Sequence, residues 1–144
     1  YSLLRDNSVV TDYFAGQLLN KIICNTCQNE SLSFDNFWDL SVSFTKGGGV
    51  LDTCDLEKMI EHFLKEEQLD DLFTCEKCKT QRKSSKKFAI WKIPNILVIH
   101  LKRFHYGKFR REKIRQNVTF PIKDFNLRPF VEGSGNYLDA IRYV

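Results

Sequence analysis

Two C-x-x-C pairs constrain the fold of this chain more than any other feature. Cys24 and Cys27 form the first pair, and Cys75 and Cys78 form the second. Two cysteines with this spacing in a tight turn can bind one metal ion together. Two such pairs supply all four ligands of a tetrahedral structural zinc site. Because the pairs lie far apart in the sequence, a shared zinc ion would join the beginning of the chain to its middle.

The four cysteines have two other interpretations, both weaker. Their spacing matches no ferredoxin pattern, which disfavours an iron–sulfur cluster, and redox-active or chance pairing is the remaining alternative. Zinc suits four soft thiolates on two turns. If zinc is bound, we expect the polar residues beside the first pair to donate hydrogen bonds to the sulfurs; these are Asn25, Thr26, Gln28 and Asn29.

The composition is that of an ordinary single domain. A chain of 144 residues is long enough to bury its own core. No apolar run reaches the roughly 18 residues of a membrane span, so we expect no membrane insertion. The first residues show no export signal, and five cysteines without one favour metal binding in a reducing compartment over disulfides. We therefore expect a cytoplasmic or nuclear protein, cut from something longer because it lacks an initial Met.

The positive charge is mild overall but concentrated in two segments. The net charge is +4, and residues 77–87 and 102–115 are both rich in Lys and Arg. Such runs are usually solvated faces or hairpin tips, and less often nucleic-acid patches. Because no nucleic-acid-binding motif accompanies them, we expect no nucleic-acid partner. A zinc ribbon that binds nucleic acid is the minor alternative.

The residues around each cysteine pair predict strands. Residues 16–23 lead into the first pair, and residues 31–44 follow it with alternating apolar and polar side chains at both ends. After the second pair, residues 79–87 predict a polar turn and residues 88–93 another strand. A strand, a turn with two cysteines and a second strand make half of a zinc ribbon.

An amphipathic helix separates the two halves. Asp52 or Thr53 is the expected N-cap, and we expect the helix to fade by Asp70 and Asp71. Apolar residues recur at positions i, i+3, i+4, i+7 and i+8, as one buried helix face requires; they are Leu56, Met59, Ile60, Phe63 and Leu64.

Three further segments have a clear local pattern. Residues 96–101 are almost continuously apolar, which predicts a central strand covered on both faces. Gly47, Gly48 and Gly49 predict a flexible break. Residues 137–144 predict the start of another strand.

The remaining cysteine and the histidines give no sign of catalysis. Cys54 lies at the start of the helix, where a small buried residue is the expected role and a reactive thiol the minor alternative. His62 falls on the polar helix face and should be exposed. His100 lies in the apolar strand and is expected to be a hydrogen-bonded core residue, while His105 fits a surface or cleft position equally well. The residues alone therefore predict an α+β fold, mostly antiparallel β with a zinc ribbon and one amphipathic helix.

The order of these motifs resembles a known family. The first cysteine pair is followed by Phe-Trp-Asp-Leu-Ser at residues 37–41, and the second by Ile-Leu-Val-Ile-His-Leu-Lys-Arg-Phe at residues 96–104. Lys-Glu-Glu-Gln-Leu at residues 65–69, Phe-Pro at 120–121 and Phe-Asn-Leu at 125–127 complete the pattern. Together they resemble the middle of the catalytic domain of the ubiquitin-specific proteases, which are cysteine deubiquitinases.

The resemblance implies an architecture and a set of contacts. It implies a papain-like thumb-palm-fingers catalytic domain, incomplete in residues 1–144, with a fingers zinc ribbon at about residues 16–92 and a palm at about residues 93–144. The implied partners are ubiquitin or ubiquitinated proteins. Phe104 matches a position near the channel for the ubiquitin tail. The implied ligands of a structural Zn²⁺ at the fingertips are Cys24, Cys27, Cys75 and Cys78.

The resemblance also predicts that the chain contains no catalytic residue. The family's nucleophile lies in a Gly-Asn-Thr-Cys-like sequence and its base in a Gly-His-Tyr sequence, and neither is present. Asn25-Thr26-Cys27 is similar to the first only superficially, because Cys27 is better explained by zinc. The intact domain would hydrolyse the (iso)peptide bond after ubiquitin's C-terminal glycine, whereas this chain alone should not. The alternative is an inactive, zinc-stabilised module that binds ubiquitin or another protein.

Overall fold

The computed structural model describes residues 8–44, 53–106 and 111–133. Two predicted features, the triple-glycine break at residues 47–49 and the strand at residues 137–144, lie outside the described residues. The helices are α1 (Val9–Phe14) and α2 (Leu56–Leu64), and a short 3₁₀ turn covers Arg128–Phe130. The strands are β1 (Gly16–Cys24), β2 (Glu30–Phe37), β3 (Leu40–Ser43), β4 (Cys54–Asp55), β5 (Glu67–Gln68), β6 (Phe73–Cys75), β7 (Thr80–Arg82), β8 (Ser84–Lys92), β9 (Ile99–Lys102), β10 (Phe104–Tyr106), β11 (Arg111–Lys113) and β12 (Val118–Thr119).

The largest unit is a four-stranded antiparallel sheet in the order β2-β1-β8-β5. Two antiparallel pairs, β6 with β7 and β10 with β11, and two parallel pairs, β3 with β9 and β4 with β12, make up the rest. The prediction of a mostly antiparallel α+β fold is therefore confirmed. Among the described residues, no helix is long and apolar enough to cross a membrane.

The core lies between one face of this sheet and α2. Leu18 and Ile90 are register partners on β1 and β8, so their side chains share that face. They join a buried cluster with Leu40 and Val42 of β3. The α2 side chains that complete the cluster match the predicted helix face; Leu56, Met59, Ile60 and Leu64 are buried, and Phe63 is partly buried and stacks on Phe88.

The helix itself begins and ends differently from the prediction. Asp55, not Thr53, is the N-cap, since its carboxylate accepts hydrogen bonds from the backbone N–H groups of Glu57 (2.9 Å) and Lys58 (3.3 Å); Asp52 lies outside the described residues. The helix ends at Leu64, well before Asp70. The last apolar residue of the buried face is also Leu64, and the next residues turn away to pair β5 with β8.

A second helix, α1, was not predicted. Val9 and Val10 are β-branched and exposed, so neither propensity nor a buried face indicates a helix there. The hydroxyl of Ser8 caps it by accepting a hydrogen bond from the backbone N–H of Thr11 at 3.2 Å. The cap at Ser8 is therefore the local interaction that favours this short helix.

The two ends of the stretch at residues 31–44 are strands, as predicted, and they are separate strands because the chain bends at Trp38 and Asp39. The first part is β2, which pairs with β1, and the second is β3, which pairs with β9. Phe37 is buried and Trp38 is exposed at the bend. The apolar residues before the bend therefore belong to the four-stranded sheet, and those after it belong to the two-stranded sheet of β3 and β9.

The prediction of a buried central strand at residues 96–101 is wrong. The strand is only β9, its residues alternate between half-buried and exposed, and Ile96 and Val98 before it are exposed. Among the described residues β9 has a single partner strand, β3, so it is not central, and its exposed residues His100 and Lys102 show that one of its faces is uncovered.

Candidate metal site

The first cysteine pair lies in the turn between β1 and β2. Cys24 ends β1, and its N–H donates to the carbonyl of Asn29 at 3.0 Å, which brings the strand ends together. The N–H of Gln28 donates to the carbonyl of Cys24 at 2.9 Å. Gln28 has φ of 56°, so the turn closes through a left-handed residue that is not glycine.

The second pair repeats this geometry between β6 and β7. Cys75 ends β6, and the N–H of Lys79 donates to its carbonyl at 2.8 Å. Lys79 also has φ of 56°. Gln28 and Lys79 occupy the same place, four residues after the first cysteine of each pair. Sequence reasoning missed both residues, because a side chain other than glycine gives no signal of a left-handed backbone.

The structure brings the two turns together into one group of sulfurs. The Sγ atoms of the four cysteines all lie within 4.8 Å of one another, and Cys27 Sγ and Cys75 Sγ are 3.6 Å apart. Cys24 and Cys75 are buried, while Cys27 and Cys78 are half-buried. Four sulfurs at this spacing can hold one metal ion.

Hydrogen bonds shift the acidities of two of these thiols in opposite directions. The pKa of Cys24 is lowered from 9.0 to about 6, mainly by a hydrogen bond from the backbone of Cys27 and further by one from the backbone of Thr26. The pKa of Cys78 is raised to about 12, mainly because its thiol is hydrogen-bonded to Cys27. One thiolate therefore forms readily in the group, and the hydrogen bonds among the sulfurs make the loss of the last proton costly.

The prediction that polar residues beside the first pair hydrogen-bond the sulfurs is confirmed for Thr26, while the hydrogen bonds that the structure records for Asn25, Gln28 and Asn29 go to other groups. The backbone of Thr26 donates a hydrogen bond to the Cys24 sulfur. The side chain of Asn25 instead donates to Gln68 Oε1 at 2.7 Å, and that of Gln28 donates to the carbonyl of Asn25 at 3.3 Å. Asn29 contributes its carbonyl to the Cys24 backbone. The Asn25 contact with Gln68 attaches the first turn to the edge strand β5.

Cys54 lies outside the sulfur group and is a buried backbone-paired residue. It belongs to β4, its N–H donates to the carbonyl of Asn117 at 2.8 Å, and its carbonyl accepts from Thr119 Oγ1 at 3.3 Å. The prediction of a small buried residue at the start of α2 is confirmed.

The histidines are all on the surface. His62 and His105 are exposed, as predicted for His62 and as one of two positions predicted for His105. The prediction of a core position for His100 is wrong, because the outward side of β9 is not covered. Its Nδ1 is hydrogen-bonded to Ser41 Oγ at 3.0 Å, and the Ser41 hydroxyl donates to Asp39 Oδ2 at 2.7 Å.

Within the basic segment at residues 102–115, β10 pairs antiparallel with β11, and residues 107–110 between them lie outside the described residues. Arg103 is turned inward, where its guanidinium stacks on Phe44 and donates to the carbonyls of Ile114 (3.3 Å) and Gln116 (2.8 Å). Phe104 begins β10 and is 55% exposed. It is therefore available to a partner.

Comparison with known proteins gives a consistent family. The family model described as "Ubiquitin carboxyl-terminal hydrolase" matches residues 2–140. "Ubiquitin carboxyl-terminal hydrolase Usp2" of Drosophila melanogaster is 45% identical over 124 residues, which cover 85% of this chain and 13% of that protein. "Ubiquitin carboxyl-terminal hydrolase 2" of Gallus gallus is 42% identical over 136 residues, which cover 92% of this chain and 37% of that protein. The chain thus spans well under half of these relatives.

Solved structures agree with the sequence relatives. A chain of the SAGA Ubp8/Sgf11/Sus1/Sgf73 DUB module bound to ubiquitin aldehyde matches 81% of this chain with a TM-score of 0.70 and 30% identity, over 25% of its own length. A chain of a variant form of the same module matches 90% of this chain with a TM-score of 0.75 and 29% identity, over 28% of its own length. This chain therefore belongs to the ubiquitin carboxyl-terminal hydrolase family, that of the ubiquitin-specific proteases whose motifs its sequence carries.

Proposed function

We propose that this chain is the fingers and part of the palm of a deubiquitinating cysteine protease, and that it binds ubiquitin without cleaving it. The observation that carries the proposal is the grouping of both cysteine pairs at one end of the β2-β1-β8-β5 sheet. Solved structures of the same family with a matching fold contain ubiquitin aldehyde or monoubiquitin. The fingers are assigned to about residues 16–92 and the palm to about residues 93–144.

Zinc is the proposed metal, and its ligands are the four sulfurs. Zinc–sulfur bonds of about 2.3 Å in a tetrahedron place the sulfurs about 3.8 Å apart, and the 3.6 Å between Cys27 Sγ and Cys75 Sγ supports this geometry. Zinc would play a structural role, because four protein ligands leave no position for water or substrate. Zinc binding would contribute on the order of 10 kcal/mol to the folding free energy of the region that contains the two turns.

Ubiquitin is the proposed partner, and Phe104 is a proposed contact. The phenyl ring is 55% exposed at the start of β10 and lies in the Lys-Arg-Phe motif. Binding the ubiquitin body and directing its tail would serve catalysis by positioning, since a fixed near-attack geometry removes a large entropic part of the barrier. The catalytic cysteine and histidine would come from other parts of a longer protein.

A binding and turnover experiment tests this function. Zinc-loaded chain is titrated into fluorescein-labelled ubiquitin, and the same preparation is incubated with ubiquitin–aminomethylcoumarin. We expect saturable binding, weaker binding for Phe104→Ala than for the matched surface variant Phe120→Ala, and no release of coumarin. Phe120 is also exposed, so the two variants remove the same ring from different places. Failure of the zinc-loaded chain to bind ubiquitin, or turnover that disappears in Cys54→Ala, would refute the proposal.

The second candidate is a catalytically inactive, zinc-stabilised module that binds ubiquitin or another protein. It is favoured by the absence of both catalytic motifs from the 144 residues. The flanking coding sequence separates the two candidates. A cysteine motif upstream of Tyr1 together with a Gly-His-Tyr motif downstream of Val144 would select the protease, and a source polypeptide without them would select the module.

A further inference from the structure

The outer strand of the four-stranded sheet, β2, has an open edge. It pairs with β1 on one side, and within the part of the chain that the structure describes no strand pairs with its other side. It is eight residues long and mostly exposed. A long edge strand exposes unpaired N–H and C=O groups, and proteins usually protect such edges with Lys, Pro or a bulge. β2 contains no Lys, Pro or bulge, and its two charged residues, Glu30 and Asp35, are both acidic, so they oppose pairing with another acidic strand and not with a basic one.

The middle of one face of β2 is apolar and aromatic, between Glu30 and Asn36 at the two ends of that face. Leu32 is 54% exposed and Phe34 is 48% exposed, and residues two apart on a strand share a face. The Phe34 ring packs edge-to-face on Trp91, with ring centroids 5.2 Å apart. Ser33 and Asp35 lie on the other face. A strand added beside β2 would therefore meet apolar side chains on one face and polar ones on the other.

The charge of this edge is opposite to that of the whole chain. The chain carries +4, but β2 contains Glu30 and Asp35 and no Lys or Arg. The nearest preceding cation, Lys21 on β1, is paired with Glu132. The edge therefore favours a cationic partner. A second copy of this chain would bring two edges of the same negative charge together, which disfavours self-association through β2.

We propose that β2 binds an extended, basic peptide segment of a partner protein as an additional strand of the sheet. The peptide backbone pairs with the open N–H and C=O groups of β2. Alternate apolar side chains pack on Leu32 and Phe34, and the Lys or Arg side chains between them lie on the face of Asp35; Glu30 lies at the end of the Leu32 and Phe34 face. This surface is separate in sequence from Phe104 and does not depend on the ubiquitin proposal.

Peptide binding to the full chain tests this inference. The probe is a fluorescein-labelled octapeptide of alternating lysine and valine, followed by anisotropy. Two analogues carry N-methyl groups on every lysine or on every valine. Neighbouring residues of a strand direct their N–H groups to opposite edges, so we expect one analogue to lose binding and the other to retain it. Equal affinity of the two analogues would overturn the proposal, because binding would not use backbone pairing.

A charge-reversal pair localises the site. We expect Asp35→Lys to weaken binding of the unmodified peptide by about tenfold. Glu61→Lys makes the same change of charge on the exposed face of α2 and should leave the affinity unchanged. Equal weakening by both variants would show a general charge effect and refute the assignment to β2. A chain dimer that dissociates as peptide binds would assign the edge to a second copy and would also overturn the proposal.

Discussion

The N-cap of α2 offers a sharp test of the structure, because the sequence pattern and the structure choose different residues. Asp55 Oδ1 accepts from two backbone N–H groups, at 2.9 Å and 3.3 Å. Asp55→Ala removes one good hydrogen bond, one long one and a negative charge beside the positive helix end. Loss of a cap costs about 1 kcal/mol, and the charge adds about 0.3–1 kcal/mol. We expect a total loss of about 1–2 kcal/mol in the free energy of unfolding.

Urea unfolding of the zinc-loaded chain measures this loss, and the melting temperature should fall by roughly 2–4 °C per kcal/mol for a domain of this size. Asp55→Asn keeps the oxygen acceptor and loses only the charge, so we expect it to lose less than about 1 kcal/mol. Thr53→Ala alters the residue that the sequence pattern favours, and we expect no measurable change. The reasoning is refuted if Thr53→Ala destabilises the chain as much as Asp55→Ala does.

Two further variants test the core and a charge bridge. Ile60→Ala, which truncates a 0% exposed side chain of α2, should cost about 2–5 kcal/mol in urea unfolding, against less than about 0.5 kcal/mol for the exposed neighbour Glu61→Ala. Glu132 bridges Lys21 and Lys87, which face each other across β1 and β8, and the Lys21 contact lowers its pKa below 4.5. Because this pKa is lowered in the folded state, ionised Glu132 stabilises the fold above about pH 4.5, and this stabilisation is lost as the pH falls through the pKa of the folded state. Since Glu132 is partly exposed, its contribution to the free energy of unfolding is under about 1 kcal/mol. Glu132→Gln should abolish this part of the pH dependence in urea titrations between about pH 3 and 7, and an unchanged pH profile would contradict the bridge.

Features encoded by local spacing could be predicted from the sequence. The strand leading to Cys24 and the apolar face of α2 follow from periodicity within a few residues. The meeting of the two distant cysteine pairs follows from metal chemistry, because each pair supplies only two of the four ligands of a tetrahedral site. The burial of Cys54 also follows from its small size and its position before an amphipathic helix.

Features decided by distant neighbours could not be predicted. Residues 96–101 carry the apolar pattern of a central strand, but burial of the side chains depends on which distant parts of the chain pack on each face of β9, and one face is exposed. The bend at Trp38 occurs because β3 pairs with β9 instead of extending β2 beside β1. His100 is exposed because it lies on the uncovered face of β9. The left-handed backbone of Gln28 and Lys79 has no glycine to signal it.

The central claim is that the four cysteines form one zinc site that holds the two turns together. The most direct test is the zinc content of the purified chain by mass spectrometry, together with its melting curve before and after chelation. We predict one zinc ion per chain in wild type and in Cys54→Ser, no stably bound zinc in Cys75→Ser, and a large fall in melting temperature when zinc is removed. A melting curve that is unchanged after verified zinc removal, or zinc binding that requires Cys54 and not Cys75, would contradict the claim.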